Sequence, residues 1–120
     1  MPTKVEHTTQ AEHNRKFWTS YDLNTTTFLD WVISGIFYEG VHWVEAFLDT
    51  KGEHSRVHSD RLQRMIWYKS YLDPIISDFE LLKQESENAR YNCHQYTQTD
   101  ISNDLIPIID KIKSHIIAII

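Results

Sequence analysis

The stretch TFLDWVISGIFYEGVHWVEAFLD, residues 27–49, decides the fold class. Leu29, Val32, Ile33, Ile36, Phe37, Gly40, Val44, Phe47 and Leu48 recur at three and four, the period of one face of a helix. Phe28, Trp31, Gly35, Tyr38, His42 and Ala46 make a second stripe beside them. So wide an apolar face predicts a central helix from about Thr27 to Asp49 that other helices cover. A glycine inside a helix costs about 1 kcal/mol relative to alanine, so Gly35, Gly40 and Ala46 read as places where a neighbouring helix needs the space. Lys51-Gly52 supplies the expected C-terminal stop.

Working outward, a first helix is predicted from Thr8 or Thr9 to about Tyr21. Thr9 and Glu12 stand in capping-box register, and Ala11, Phe17, Trp18 and Tyr21 form the buried side. Asp22 to Thr27 suits a turn better than a helix interior. A third helix is expected from Ser55 or Ser59 to about Tyr71, with Leu62, Met65, Ile66 and Leu72 inward, ended by Asp73-Pro74. In the fourth, Ile75, Phe79, Leu82, Ser86, Ala89 and Cys93 make a bundle seam. Residues 96–102 read as polar loop. A fifth helix over 103–120 carries Leu105, Ile108, Ile109, Ile112, Ile116 and Ile119, with Pro107 tolerated in its first turn. The expectation is a single all-α domain over 1–120, an antiparallel up-and-down bundle of four to five helices.

Composition agrees. The chain has 120 residues, enough for one core, and its three glycines and three prolines are too few for a sandwich of many short strands. A net charge of −5 argues against sequence-specific DNA binding and against a polybasic membrane surface. Residues 51–69 nevertheless carry a local excess of positive charge. Cys93 is the one cysteine, the N-terminus lacks the apolar core of a secretory signal, and IIAII at 116–120 is too short to cross a bilayer, so a cytoplasmic protein is expected.

Three clusters could carry chemistry. Glu39-x-x-His42 has the spacing of one half of a di-iron site, but no other glutamate has a histidine three residues on. His54-x-x-x-His58 could clamp a metal only with further ligands, His42, His94 or Cys93 among them, so no metal and no cofactor is expected. An anion site is better motivated. A helix starting at Ser55 would put His54, His58 and Arg61 on one face beside free amides, with Arg56 and His42 as further candidates. The opposing reading pairs Asp60 with Arg64 and leaves the other cations as a solvated face. The third cluster is SENARYNCH at 86–94, where Arg90 and His94 stand four apart, a spacing that would put both on one helical face. No serine or cysteine nucleophile motif and no phosphate-cradling glycine loop is present.

AEHN at 11–14, the run IFYEGVHWVEAFLDTKGEHSRVHSDR at 36–61 and SENARY at 86–91 resemble the HEPN family of small helical bundles. The resemblance covers most of 8–95. It implies an antiparallel bundle, frequent homodimers, and work on RNA or nucleotides, in some members as metal-independent RNases and in others as toxin–antitoxin partners of a minimal nucleotidyltransferase. Catalytic members separate an arginine from a histidine by four to six residues. Arg90-Tyr-Asn-Cys-His94 has three between and a tyrosine after the arginine, so RNase activity is not carried over. The leading expectation is a non-catalytic module that dimerises and binds a nucleotide or RNA phosphate through His54, Arg56, His58, Arg61 and His42. One alternative is an RNase using Arg90 and His94 across a dimer interface. Another is an interaction bundle presenting an aromatic surface from Trp18, Trp31, Trp43 and Trp67, although core burial is the expected fate of Trp31.

Overall fold

A computed structural model describes residues Met1–Ile120 and contains no strand. The helices are α1 (Lys4–Thr19), α2 (Leu29–Thr50), α3 (His58–Trp67), α4 (Lys69–Tyr91) and α5 (Ile106–Ile119), the last entered through a π-helical turn at Asp100–Leu105. α1, α4 and α5 all pack on α2. Pairs of contacts give the directions. His7 meets His42 while Phe17 and Trp18 meet Gly35, so α1 and α2 are antiparallel. Tyr71 meets His115 and Asp78 meets Lys111, so α4 and α5 are antiparallel as well. The expected all-α bundle is the observed one, with α3 a short extension before α4.

α1 starts earlier than expected. Its cap is Thr3, in a complete capping box with Glu6, not Thr8 or Thr9. Both T-x-x-E motifs satisfy the local rule, and tertiary contact chooses between them. The earlier start buries His7 together with Ala11 and Trp18 on α2 and lets the Lys4 amide donate to Asp49 at 2.7 Å. Phe17, expected inside, is exposed instead.

α2 ends as its sequence dictates. Gly52 takes φ +70°, the Glu53 amide donates to the Leu48 carbonyl and the Gly52 amide to Asp49, which is a complete Schellman closure. The first stripe is buried almost throughout, but in the second Phe28, Trp31 and Tyr38 are exposed, which overturns the expected burial of Trp31. The two glycines of α2 differ in kind. A methyl group at Gly35 would lie 3.0 Å from Phe17 and from the Trp18 Cβ, whereas at Gly40 its closest neighbour would be Ile109 at 3.5 Å. Gly40→Ala is therefore expected to stabilise the protein by up to about 1 kcal/mol through helix propensity. Gly35→Ala is expected to destabilise it by about 1–2 kcal/mol through crowding at the α1–α2 contact. Thermal melts of the two variants should move in opposite directions.

Asp73-Pro74 does not end a helix. The break lies at Tyr68 (φ −105°, ψ 30°), and Pro74 sits inside α4. A proline disturbs the turn before it, where its ring meets the carbonyl four residues back, so the bend falls upstream. Ile66 is exposed and Arg61 takes a buried position instead. Cys93 lies beyond α4 with φ +54° and is exposed, so the seam stops at Ala89. Helical geometry resumes before the predicted 103, widened to a π turn immediately ahead of Pro107, whose missing N–H and bulky ring disfavour the ordinary α spacing there. No helix is long and apolar enough to cross a membrane.

Candidate functional site

α2, α3 and α4 converge on the ring of Phe37. Phe37 is buried; the His58 ring at the start of α3 lies 5.2 Å from it, centroid to centroid, and the Arg90 guanidinium of α4 sits 6.0 Å over it. Arg90 is also 5.5 Å from the Tyr38 ring and 5.2 Å from its neighbour Tyr91, and it donates to the buried Ser86 hydroxyl. Its Nε is buried without a partner. No carboxylate stands within ion-pairing distance of it. Lys83, two turns back on the same side of α4, is paired with Glu87 at 2.8 Å.

His58 is held by a chain that begins in the core. Glu45 of α2 is buried and accepts from Arg61 Nε at 2.8 Å, and Arg61 Nη1 donates to His58 Nδ1 at 2.7 Å. Arginine has no acceptor, so Nδ1 is the accepting nitrogen and Nε2 carries the proton. Burial, then the charges of Arg61, Lys83 and Arg90, push the His58 pKa below its ordinary value. The ring therefore offers a fixed N–H donor, a better device for holding an acceptor than for exchanging protons near neutrality.

The residues singled out in the sequence are distributed differently from the expected single face. α3 begins at His58, which leaves His54 outside it, beside Asp49 at 3.6 Å. Arg61 turns inward to Glu45, and Arg56 is exposed. Arg64 pairs with Asp60, as the opposing reading has it, and with Glu53. Among the charged residues of the predicted set, Arg61 is thus already neutralised. His94 follows the end of α4, so it and Arg90 do not share a helical face; both line a groove of about 580 Å³ with Asp30 and Tyr96. The structure sets His58 and Arg90, two residues the sequence places in separate clusters, against one ring, that of Phe37. Tyr38, Glu45 and Ser86 complete the arrangement without any local signal, since a single polar residue on an apolar stripe looks alike whether it holds a neighbour or a ligand.

His42 faces α1. Its Nδ1 stands 3.0 Å from His7 Nδ1, and burial, followed by the charges of His7 and Arg61, lowers its pKa to about 4 against a smaller opposing pull from Glu45. Glu39, one turn earlier, points elsewhere, so the di-iron spacing is not a shared site. No set of three His, Cys, Asp or Glu side chains converges to hold a metal ion. Between pH 6.5 and 4 the unfolded ring takes up a proton that the folded ring refuses, so stability falls as the solution is acidified through that range. A shift of this size in a dry site would amount to about 3 kcal/mol; solvent around the half-buried ring reduces the expected loss to on the order of 1 kcal/mol. Urea midpoints at pH 7 and pH 4.5 should converge in His42→Gln relative to the unmodified chain.

No family model, no curated protein and no solved structure matches the chain.

Proposed function

We propose that the protein is a non-catalytic, HEPN-like binding module for the phosphate of a nucleotide or RNA strand, with Arg90 as the anion contact and the His58 N–H as the orienting donor. The observation that carries this reading is the Arg90 guanidinium: it is held in place by three aromatic rings and the Ser86 hydroxyl, yet has no carboxylate of its own. A partly buried cation normally acquires a fixed counter-charge, and a planar fork of donors suits phosphate oxygens. Tyr38 and Tyr91 beside it are suited to stacking. The cluster of cations at the α2–α3 bend enters through His58, with Arg61 setting its tautomer. Homodimerisation, and pairing with a nucleotidyltransferase in a toxin–antitoxin system, follow only from the family resemblance and belong to the same proposal.

Titration of ATP and of a short single-stranded RNA at low and high salt tests it. Binding should weaken as salt rises, and Arg90→Ala should lower affinity about tenfold, the loss of one charge-assisted contact. No binding at low salt, or an unchanged affinity in Arg90→Ala, would remove the reading. RNA cleavage is the second reading, favoured only by the shared groove of Arg90 and His94. Cleavage that persists in EDTA and disappears in His94→Ala would establish it.

A further inference from the structure

Exposed tryptophan is uncommon, because burying so large a ring is strongly favourable. Trp31 is 52% exposed, and two further rings on the same side of the molecule, Phe17 at 43% and Tyr38 at 40%, are exposed with it. The three line one groove of about 380 Å³ between α1 and α2, whose polar positions are Gln10, Asn14, His42 and Ser34, the last with its hydroxyl donating to the Asp30 carbonyl at 3.0 Å. Its shape follows from Gly35, which lets α1 come close enough to α2 for Phe17 to form one wall.

The polar groups of the groove retain bonding capacity. Gln10 Nε2 donates to Asn14 Oδ1 at 3.1 Å, which leaves the Gln10 carbonyl oxygen and the Asn14 N–H groups uncommitted. His42 uses Nδ1 on His7 and keeps Nε2. Flat apolar walls with a donor and an acceptor at one end match a planar heterocycle with polar edges better than they match an aliphatic chain. Tyr38 belongs to both places, as a wall of this groove and as the ring 5.5 Å from the Arg90 guanidinium.

We propose that this groove takes the nucleobase of the ligand whose phosphate Arg90 holds, with Trp31 as the principal stacking surface. The inference rests on the phosphate reading above. Its occupant is fixed by continuity: a base in the groove and a phosphate at Arg90 are joined across one tyrosine ring, and the guanidinium supplies the complementary charge.

The test compares a short oligoadenylate with an abasic strand of the same length, and adds AMP. Trp31 lies outside the core, and thermal melts should confirm that Trp31→Ala folds as the unmodified protein does. Oligoadenylate is expected to bind about tenfold more tightly than the abasic strand. Trp31→Ala should erase that gap and leave abasic affinity and its salt dependence unchanged, Trp31→Phe should keep most of it, and Arg90→Ala should weaken both strands. AMP binding that also depends on Trp31 would make a free nucleotide sufficient, whereas binding of the oligomer alone would assign the groove to a strand; either result supports it. Equal affinity for the two strands, or an unaltered gap in Trp31→Ala, overturns the groove and leaves the Arg90 reading standing. Loss of self-association in Trp31→Ala with both strand affinities unchanged overturns it in favour of a second copy of the chain. Failure of the unmodified protein to bind either strand removes the phosphate reading and the groove together.

Discussion

Glu39→Ala is expected to lower stability by about 3–5 kcal/mol, the largest effect of any single substitution outside the apolar core. Glu39 is fully buried and accepts from Trp18 Nε1 at 2.8 Å, Trp43 Nε1 at 2.8 Å and Arg15 Nε at 3.0 Å. Arg15 Nη2 bridges the same carboxylate, at 2.9 Å, to Asp110 of α5 at 3.0 Å. Burial, the largest single influence, works against the Arg15 charge, but Glu39 and Asp110 together outweigh it, so the guanidinium is held more firmly protonated than usual. Removing the carboxylate strands two buried indole N–H groups and leaves Arg15 with Asp110 alone. The cost lies in those orphaned donors rather than in the lost attraction itself. Glu39→Leu combined with Trp18→Phe, Trp43→Phe and Arg15→Met should therefore recover most of the loss. Denaturant midpoints with unchanged slopes would check it, and a fall in Tm of about 15 °C should accompany the single variant. A loss under about 1 kcal/mol in Glu39→Ala would show that the buried network is not what joins α1, α2 and α5.

Arg61→Ala is the second large effect, expected at about 3 kcal/mol, because it leaves the Glu45 carboxylate buried with only the weak 3.4 Å contact from the Ser55 amide. In a Glu45→Ala background the same change should cost much less, a coupling of about 2 kcal/mol. The variant also reads the second role of Arg61. Without its donated hydrogen bond His58 loses the fixed Nε2–H tautomer, and its pKa rises towards the ordinary value. The rise is partial, because burial is the larger cause of the depression and stays in place. Imidazole nitrogen shifts across pH 4 to 8 would follow both. An unaltered His58 tautomer in Arg61→Ala would show that Arg61 serves Glu45 alone.

The helices were legible because period and caps are local. Residues 28–49 show their wide apolar face in the letters themselves, and Gly52 follows directly from the end of a helix that needs a left-handed residue. Two T-x-x-E motifs six residues apart already defeat local reading, since only the contact of His7 and Lys4 with α2 selects the first. Pro74 misleads for a related reason: a proline marks a disturbed turn, and packing decides on which side the helix bends.

Sequence by itself determined the class of fold, the central place of α2 and the presence of cations around residues 54–61 and 90. It could not determine which of those cations face a carboxylate, because that pairing runs between helices, from Glu45 to Arg61 and from Glu39 to Arg15, across 16 and 24 residues. Charge is a property of a side chain, but free charge is a property of its surroundings. Only the tertiary structure spends Arg61 on Glu45 and leaves Arg90 unpaired among Phe37, Tyr38 and Tyr91, with His58 against the same Phe37 ring.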